Sequence, residues 1–277
     1  MKLSACLVIH NEKKLLLGCL RSIKNIANEI IVIHDGPCQD ESLEIAKEFK
    51  AKVFVRPYIG EAEFHRPFSY EKASGDWILQ IDADEYFSQE STKKIEELIK
   101  SDDVDAYSFW WPYFYGKEYI KKGPFSQTFK PCLFRKSKMF MIGIAHEYPR
   151  TYGKLVKVQD IHLKHYFNDS KYTEQFFREK WVKWAKLQAK QIYNIESAPT
   201  FNISNLSQNP VYRYYQFVQR FPVISGILEI LKYVLIFIKR GILRSDRKSF
   251  KIAWFELRYL WLIRQYLLDL HYGRKIQ

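Results

Sequence analysis

The sequence predicts an α/β fold with a mostly parallel sheet, followed by a basic helical region at the C-terminal end. Three observations predict this. Short apolar runs alternate with helix-period segments through the first half of the chain, each of the main runs ends in polar residues, and most of the excess positive charge lies in the last third. Strands that alternate with helices favour a parallel, doubly wound sheet.

The elements follow from the spacing of apolar residues. Strands are predicted, in chain order, at Leu3–Ile9, Glu29–Ile33, Val53–Val55, Trp77–Ile81, Ala106–Tyr113, Phe129–Arg135 and near Val156–Tyr166. Helices are predicted at Leu15–Ile26, Asp40–Phe49, Gln89–Lys100 and Tyr172–Tyr193, with Asp40 as the N-cap of its helix.

The charge is unevenly distributed along the 277 residues. Residues 1–170 hold 25 Lys and Arg against 24 Asp and Glu, whereas residues 171–277 hold 19 against 7. This asymmetry predicts a catalytic domain at 1–196, an Asn-, Ser- and Pro-rich linker at 197–210, and a C-terminal region at 211–277 that meets a polyanion. Membrane surface and nucleic acid are the two candidates.

The tail combines an apolar stripe with a basic cluster. Val223–Ile238 has apolar residues at helical spacing, but Glu229 and Lys232 interrupt the run, so it is a poor match to the roughly 20 residues of a spanning helix. Six basic residues follow between Lys239 and Lys251. This composition favours an interfacial helix on an anionic leaflet. The alternative is that ordinary helices pack on the domain with solvated basic residues.

A pair of carboxylates follows the predicted strand Trp77–Ile81. In an extended chain Asp82 and Asp84 would point to the same side, as an oxygen-ligand site for Mg²⁺ or Mn²⁺. The alternative is that Asp82–Glu85 caps the next helix. Asn11-Glu12 and His34-Asp35 also end strands, and ligands of such sheets bind at the carboxyl ends of the strands.

Several classes of site are excluded by missing motifs. The sequence has no P-loop, no G-x-G-x-x-G after the first strand and no C-x-x-C pair, and His146-Glu147 lacks the second His of a zincin motif. The four scattered cysteines and the short apolar N-terminal run favour reduced thiols in a cytosolic setting.

Together these segments resemble glycosyltransferase family 2, over roughly residues 3–166. The resemblance is carried by Ile9–Glu12, Ile30–Gly36, Ala73–Glu85, Cys132–Arg135, Ala145–Glu147 and Lys164–Tyr166. It implies the GT-A fold, a Rossmann-like and mostly parallel sheet with flanking helices, and mostly inverting chemistry. The rear half, with Lys239-Arg240-Gly241, looks like the lipopolysaccharide-core glucosyltransferase branch.

The resemblance also implies roles in binding the donor. Asn11 and Glu12 would line the nucleotide pocket, and Asp35 would bond the uracil or ribose, although His34 stands where an acidic residue is usual. Asp84 would bind the metal, and Asp82 would contact ribose or bind metal through water. His165 would complete the metal site, with His162 as the competing candidate.

The remaining implied roles concern the chemistry of transfer. Glu147 would be the base that takes the proton of the acceptor hydroxyl, with His146 orienting it or the acceptor. Arg135 would contact the diphosphate, with Arg66 as the weaker candidate for the same role.

The resulting interpretation is a metal-dependent, inverting hexosyltransferase. It would use Mg²⁺ or Mn²⁺ and a nucleotide-sugar donor, in first place a UDP-sugar, with a saccharide or lipid-linked acceptor of cell-envelope or lipopolysaccharide synthesis. It would work as a peripheral protein at the cytoplasmic face of a bacterial membrane, with the C-terminal region on anionic lipid and no nucleic-acid partner. The alternatives are a sugar nucleotidyltransferase, against which the glycine-free His10–Lys14 segment counts, and a nucleic-acid-binding protein.

Overall fold

The structure is a computed structural model that describes residues 1–115, 118–165 and 171–275. The chain divides into two compact units. Unit 1 comprises Met1–Trp111, Phe129–Tyr166 and Pro199–Ile203, and unit 2 comprises Pro112–Thr128, Phe167–Ala198 and Ser204–Gln277. Tyr166, at the end of a predicted strand, lies outside the described residues.

The strands are, in chain order, β1 Leu3–Ile9, β2 Glu29–Asp35, β3 Lys52–Arg56, β4 Trp77–Gln80, β5 Glu85–Tyr86, β6 Ala106–Trp110, β7 Phe114–Tyr115, β8 Glu118–Tyr119, β9 Phe129–Arg135, β10 Met139–Ile142, β11 Arg150–Thr151, β12 Leu155–His162, β13 Lys164–His165 and β14 Thr200–Phe201.

The α-helices are α1 Lys13–Ile23, α2 Ser42–Glu48, α3 Arg66–Lys72, α4 Gln89–Leu98, α5 Glu174–Phe176, α6 Val182–Tyr193, α7 Pro210–Arg220, α8 Pro222–Lys239 and α9 Arg247–His271. A π-helical turn at Phe177–Trp181 joins α5 to α6, and 3₁₀ turns lie at Ile195–Ser197, Leu206–Gln208 and Ile242–Arg244.

Unit 1 is built on a seven-stranded sheet with the order β12-β6-β9-β4-β1-β2-β3. The pairs β1–β2, β1–β4, β2–β3 and β6–β12 are parallel, and β9 runs antiparallel to both β4 and β6. The predicted α/β class with a mostly parallel sheet is therefore confirmed. The central parallel strands β1, β2 and β4 are buried apolar runs, as expected where both faces of a sheet are covered, whereas the outer strands β3 and β12 are largely half-buried or exposed.

The helices of unit 1 bury one face, as their periodicity predicts. In α1 the buried residues follow the i, i+3, i+4, i+7 pattern of an amphipathic helix, at Leu16, Cys19, Leu20 and Ile23. They join a core that includes the fully buried Trp77 and Leu79 of β4. This packing fixes the ends of the central strands.

Two local predictions need correction. The helix predicted from Asp40 begins at Ser42, and Asp40 instead accepts hydrogen bonds from the backbone N–H groups of Ser42 and Lys13, at 2.9 and 3.1 Å. Helix α3 was not predicted, because Arg66-Pro67-Phe68 gives no helical apolar period, although proline suits the first turn of a helix.

The predicted domain boundaries also differ from the structure. Residues 197–210 are not simply a linker, since Thr200 and Phe201 pair with Ile142 and Met141 of β10 and belong to unit 1. The ring of Phe201 packs edge-on against Tyr70. Residues 112–128 and 167–196, which the sequence assigned to the catalytic domain, group with the C-terminal helices. Pairing between segments that are distant in the chain cannot be recognised from local composition, so the sequence misplaced these boundaries.

Unit 2 is held together by an aromatic cluster. Phe177 and Trp181 pack against Phe255 and Tyr259 of α9, with ring centroids 5.5–6.2 Å apart. The guanidinium of Arg258 lies 4.2 Å from the centroid of Phe177 and donates to both oxygens of Glu174. The predicted helices of the C-terminal region are therefore present as α7, α8 and α9.

Candidate functional site

The polar residues that end three neighbouring strands lie at one edge of the sheet. Strand β1 pairs in parallel with both β2 and β4, so Asn11 and Glu12 follow the middle strand. Asp35 ends β2, and Asp82 follows β4. The carboxyl-end cluster predicted from the sequence is thus formed within unit 1.

The carboxylates after β4 are arranged by a turn. The N–H of Glu85 donates to the carbonyl of Asp82 at 2.9 Å, and the N–H of Asp82 donates to Oε2 of Glu85 at 2.9 Å. The chain is not extended here, so strand alternation does not place Asp82 and Asp84 on one side. That premise was wrong, because the turn sets the positions of both carboxylates.

Two buried cations pair with Asp82 and Glu85 of this turn. The Nζ of Lys130 lies 2.6 Å from Oδ2 of Asp82 and 2.7 and 2.8 Å from the two oxygens of Glu85. The Nη2 of Arg66 donates to Oδ1 of Asp82 at 3.0 Å. Lys130 was missed from the sequence. The available signal was a lysine inside the otherwise apolar strand Phe129–Arg135.

The cations shift the ionisation of their partners. Burial would raise the pKa of Asp82, but attraction to Arg66 and Lys130 lowers it far below its usual range. Burial opposes the charge of Lys130 as well, yet Asp82 and Glu85 raise its pKa. For Glu85, burial raises the pKa against the pull of Lys130. Asp82 is therefore ionised and paired.

These contacts bear on whether a metal ion fits the predicted ligands. Both oxygens of Asp82 already contact a cation, and across residues 1–115, 118–165 and 171–275 no group of three or more His, Cys, Asp or Glu side chains is arranged to hold a metal. The trio of Asp82, Asp84 and His165 does not form such a group. We therefore assign no step of the reaction to a metal ion.

Glu12 experiences the charge of the same cluster. Burial, followed by repulsion from Asp84 and Asp40, raises the pKa of Glu12 to about 7. Its N–H donates to the hydroxyl of Ser42 at 2.7 Å, which ties the start of α1 to α2. Glu12 and Asp84 are thus close enough to influence each other's ionisation.

Asp35 anchors the loop that leads into α3. Its carboxylate accepts hydrogen bonds from the N–H groups of Ile59 and Gly60 at 2.7 and 2.8 Å, and Oδ1 lies 2.9 Å from Nε2 of His65. Burial would raise the pKa of Asp35, but these hydrogen bonds lower it. Gly60 has a φ of +84°, a conformation that favours glycine. Both carboxylate oxygens are used within the protein.

His34 and Asn11 lie at the same carboxyl edge of the sheet, and both are held by hydrogen bonds within the protein. His34, which departs from the family pattern, is fully buried, and its Nδ1 lies 2.7 Å from the carbonyl oxygen of Gly36. Asn11 has a φ of +55°, and its side-chain oxygen accepts from the N–H of Gln39 at 2.8 Å. A left-handed backbone outside glycine is costly and is concentrated at functional sites.

The predicted base lies on the loop between β10 and β11. Glu147 is 12% exposed and accepts hydrogen bonds from the guanidinium of Arg150 at 2.8 and 3.0 Å. His146 has a φ of +60°. Its charge helps to lower the pKa of Glu63, for which burial acts in the opposite direction. His146 and Arg66 thus both act on the ionisation of Glu63, which precedes α3.

The adjacent Tyr148 links the loop to the charged turn. Burial raises the pKa of its hydroxyl to about 12, and Lys130, Glu85 and Asp82 also act on it. Although 41% of the surface of Tyr148 is exposed, the charges of Lys130, Glu85 and Asp82 act on its hydroxyl. Tyr148, next to Glu147 in the chain, is therefore within range of the charges of the turn.

His165 lies next to the carboxylate turn. It pairs with Glu85 in the short antiparallel ladder between β13 and β5, and its ring lies 5.0 Å from that of Trp111. The ring of the competing candidate, His162, packs at a tilt against Trp110 with centroids 4.4 Å apart, and its buried Nε2 has no hydrogen-bond partner. Burial lowers the pKa of His162. Of the two, His165 lies beside the turn.

Arg135 is not brought to this cluster. It pairs with Trp77, at the amino end of β4, whereas Asp82 follows the carboxyl end of that strand. Its guanidinium donates to the carbonyl of Ser101 at 2.7 Å and lies 4.9 Å from the ring centroid of Trp77. The expectation of a diphosphate contact is corrected, because an antiparallel strand carries its last residue to the opposite edge of the sheet.

Comparisons with known proteins agree on the class. The family model described as Glycosyl transferase family 2 matches residues 4–152, more than half of the chain. An uncharacterized glycosyltransferase of Rickettsia typhi (strain ATCC VR-144 / Wilmington) is 37% identical over 106 residues, which are 38% of this chain and 36% of that protein. Glycosyltransferase SunS, derived from the SPbeta prophage of Bacillus subtilis (strain 168), is 31% identical over 96 residues, 34% of this chain and 22% of that protein.

Among solved structures, S. aureus TarS 1–349 in complex with UDP-GlcNAc is 15% identical, with a TM-score of 0.46, covering 100% of this chain and 93% of that one. Glucosyl-3-phosphoglycerate synthase from Mycobacterium tuberculosis, with Mg²⁺ and UDP, is 13% identical, with a TM-score of 0.47, covering 69% and 78%. At TM-scores below 0.5, the assignment rests on the sequence match over residues 4–152. This chain belongs to glycosyl transferase family 2.

Proposed function

We propose that this glycosyltransferase moves a sugar, with inversion, from a nucleotide-diphosphate sugar to a saccharide or lipid-linked acceptor of the cell envelope. A UDP-sugar is the donor we propose. The observation that carries the proposal is the grouping of Glu12, Asp82 and Asp84 with buried Arg66 and Lys130 at the carboxyl edge of the sheet. This edge is where α/β sheets bind their ligands.

The arrangement suits the donor because the leaving nucleotide diphosphate gains negative charge as the glycosidic bond breaks. Fixed cations stabilise charge that develops next to them. Arg66 is held by Asp82 and lies 3.6 Å from Glu63, so its guanidinium is fixed before any ligand arrives. We propose that Arg66 faces the diphosphate, and that Lys130 acts by holding Asp82 and Glu85 in the turn.

Transfer with inversion also needs a base on the acceptor side. We propose Glu147 for this role. Its carboxylate is largely buried, and Arg150 holds it in one orientation from the same loop. His146, with its strained left-handed backbone, would position the acceptor or Glu147. Asn11 and Asp35 would shape the nucleotide pocket, Asp35 by ordering the loop at Ile59 and Gly60.

Three finer points stay predictions. We propose a place in cell-envelope or lipopolysaccharide synthesis and a location on the cytoplasmic face of a bacterial membrane. Dependence on Mg²⁺ or Mn²⁺, predicted from the sequence with Asp84, Asp82 and His165 at the metal site, is measured by activity with and without a chelator. Because the chain spans only 36% of the length of the Rickettsia typhi relative and 22% of SunS, the acceptor of the whole protein is part of the proposal.

The test is a screen of nucleotide sugars for binding and slow hydrolysis by the full chain. UDP-sugars are expected to be turned over, and Asp84→Ala is expected to abolish turnover. Asp103→Ala is the matched control, because Asp103 is exposed and far along the chain from the turn. The proposal fails if no nucleotide sugar binds, or if Asp84→Ala retains the activity of the parent.

A further inference from the structure

Helix α8 has its two small residues and its acidic residue on the inside. Ser225 and Gly226 are buried, and a Cβ added at Gly226 would lie only 2.8 Å from Cγ of Arg264 on α9. Glu229 pairs with Arg264, which is 4% exposed, and accepts a hydrogen bond from the hydroxyl of Tyr214 at 3.1 Å. The acidic residue that interrupts the apolar run in the sequence therefore points into unit 2.

The outer face of α8 is a continuous apolar stripe. Its residues lie on one helix face, beginning with i, i+3, i+4 and i+7, and each is 49–66% exposed: Ile224, Ile227, Leu228, Leu231, Leu235 and Ile238. Soluble proteins rarely expose contiguous apolar patches of this kind unless the patch meets a partner or a membrane. Lys232 is the exposed charge within this length of α8.

The stripe leads directly into exposed positive charge. Lys239 ends α8, and Arg240, Arg244 and Arg247 follow on exposed positions, with Leu243 between them 74% exposed. Asp246 is the acidic residue in this segment, and its carboxylate accepts from the N–H of Ser249 as the N-cap of α9. The cationic side chains are thus balanced by little negative charge.

We propose that this surface, the α8 stripe with its basic end, docks on an anionic lipid bilayer. Apolar side chains in line with several cations match the acyl boundary and the phosphate groups of such a surface. A second copy of this face offers little negative charge to the exposed cations, since its acidic residue Asp246 already caps α9, so self-association would leave the basic end without a complement.

The helix would lie along the surface. It has 18 residues, about 27 Å at the usual rise per residue. Within the described residues no single helix is long and apolar enough to cross a membrane, although the pair α7 and α8, bent by 119°, meets that test by length and composition. The docking surface rests on the proposed membrane location and is independent of the transfer chemistry.

The experiment is vesicle flotation of the full chain with neutral phosphatidylcholine and with mixtures containing phosphatidylglycerol. Binding is expected to need the anionic lipid and to weaken with salt. Arg240→Gln combined with Arg244→Gln is expected to lower the affinity about 25-fold, at about five-fold per cation. Leu231→Ser combined with Leu235→Ser is expected to lower it at least as much, because the stripe no longer enters the bilayer.

The matched control is Val55→Ser, since Val55 is 54% exposed on β3 of unit 1 and lies outside the stripe. Circular dichroism checks that each variant is folded. The inference is overturned if anionic vesicles are not bound, if the stripe variants bind like the parent, or if light scattering shows a dimer that Leu231→Ser and Leu235→Ser dissociate. UDP-sugar hydrolysis in solution is measured in parallel, so that loss of docking and failure of the proposed transfer are told apart.

Discussion

The Nζ of Lys130, on strand β9, lies 2.6 Å from Oδ2 of Asp82, which is 48 positions earlier in the chain. The same ammonium contacts both oxygens of Glu85. The side chains of Lys130 and Glu85 are 2% and 1% exposed. A buried cation thus holds the two ends of the turn that carries Asp82, Ala83 and Asp84. Removing one partner of such a group leaves an uncompensated buried charge.

Lys130→Met is expected to lower the free energy of unfolding by about 3–5 kcal/mol, because Asp82 and Glu85 lose their shared cation. Urea unfolding at pH 7 measures this change. Lys138→Met is the control, since Lys138 is exposed on the turn after β9. Adding Glu85→Gln to Lys130→Met is expected to recover part of the loss. A change below about 1 kcal/mol, the size of a surface pair, would contradict the structural role.

Glu12→Gln is expected to make the protein less sensitive to alkaline pH. The pKa of Glu12 is raised to about 7, so its contribution to stability is complete below its unfolded value and is lost as the pH rises through about 7. Melting temperatures of parent and variant should therefore converge near pH 4 and diverge towards pH 8, with the variant higher. Glu96→Gln, at an exposed position of α4, is the control. If the two curves of melting temperature run parallel across this pH range, the pKa of Glu12 is not raised in the folded protein.

Substitution of Arg66 is expected to weaken donor binding, whereas substitution of Arg135 is expected to lower stability alone. Arg66→Lys should weaken binding of the nucleotide sugar about 10- to 100-fold, because lysine lacks the planar donor fork. Arg135→Lys should leave that affinity unchanged while lowering the melting temperature, since its contacts are with Ser101, Asp105 and Trp77. Calorimetric titration with the UDP-sugar measures both variants. Equal losses of affinity would contradict the position of Arg135.

Glu147→Gln is expected to lower kcat about 10²- to 10⁴-fold with little change in the KM of the donor, as loss of a general base requires. Steady-state transfer to an acceptor measures both constants. Arg150→Met is expected to have a smaller effect on kcat, because it removes only the partner that orients Glu147. If donor hydrolysis and transfer both persist in Glu147→Gln, another residue is the base.

Much of unit 1 could be predicted from periodicity. Strand β1 and strand β9 have the predicted bounds, and α1 and α4 differ from prediction by a few residues at their ends. The grouping of Glu12, Asp35 and Asp82 also follows from strand order, because parallel strands end at one edge. Strand order alone did not show which of Arg135 and Lys130, both on β9, lies at the site. The direction of β9, which decides which of its ends meets the site, depends on pairing with β4 and β6.

By itself, the sequence determined the family, the α/β class and the segments that carry the site, because these depend on local patterns of apolar and polar residues. Only the tertiary structure decided that Lys130 and Arg66 neutralise Asp82, that Thr200 and Phe201 join the first unit, and that Glu229 points inward to Arg264. Each of these is a contact between distant segments. A charge that interrupts an apolar run in the sequence can lie on either face of a helix, and only packing against its neighbours selects one.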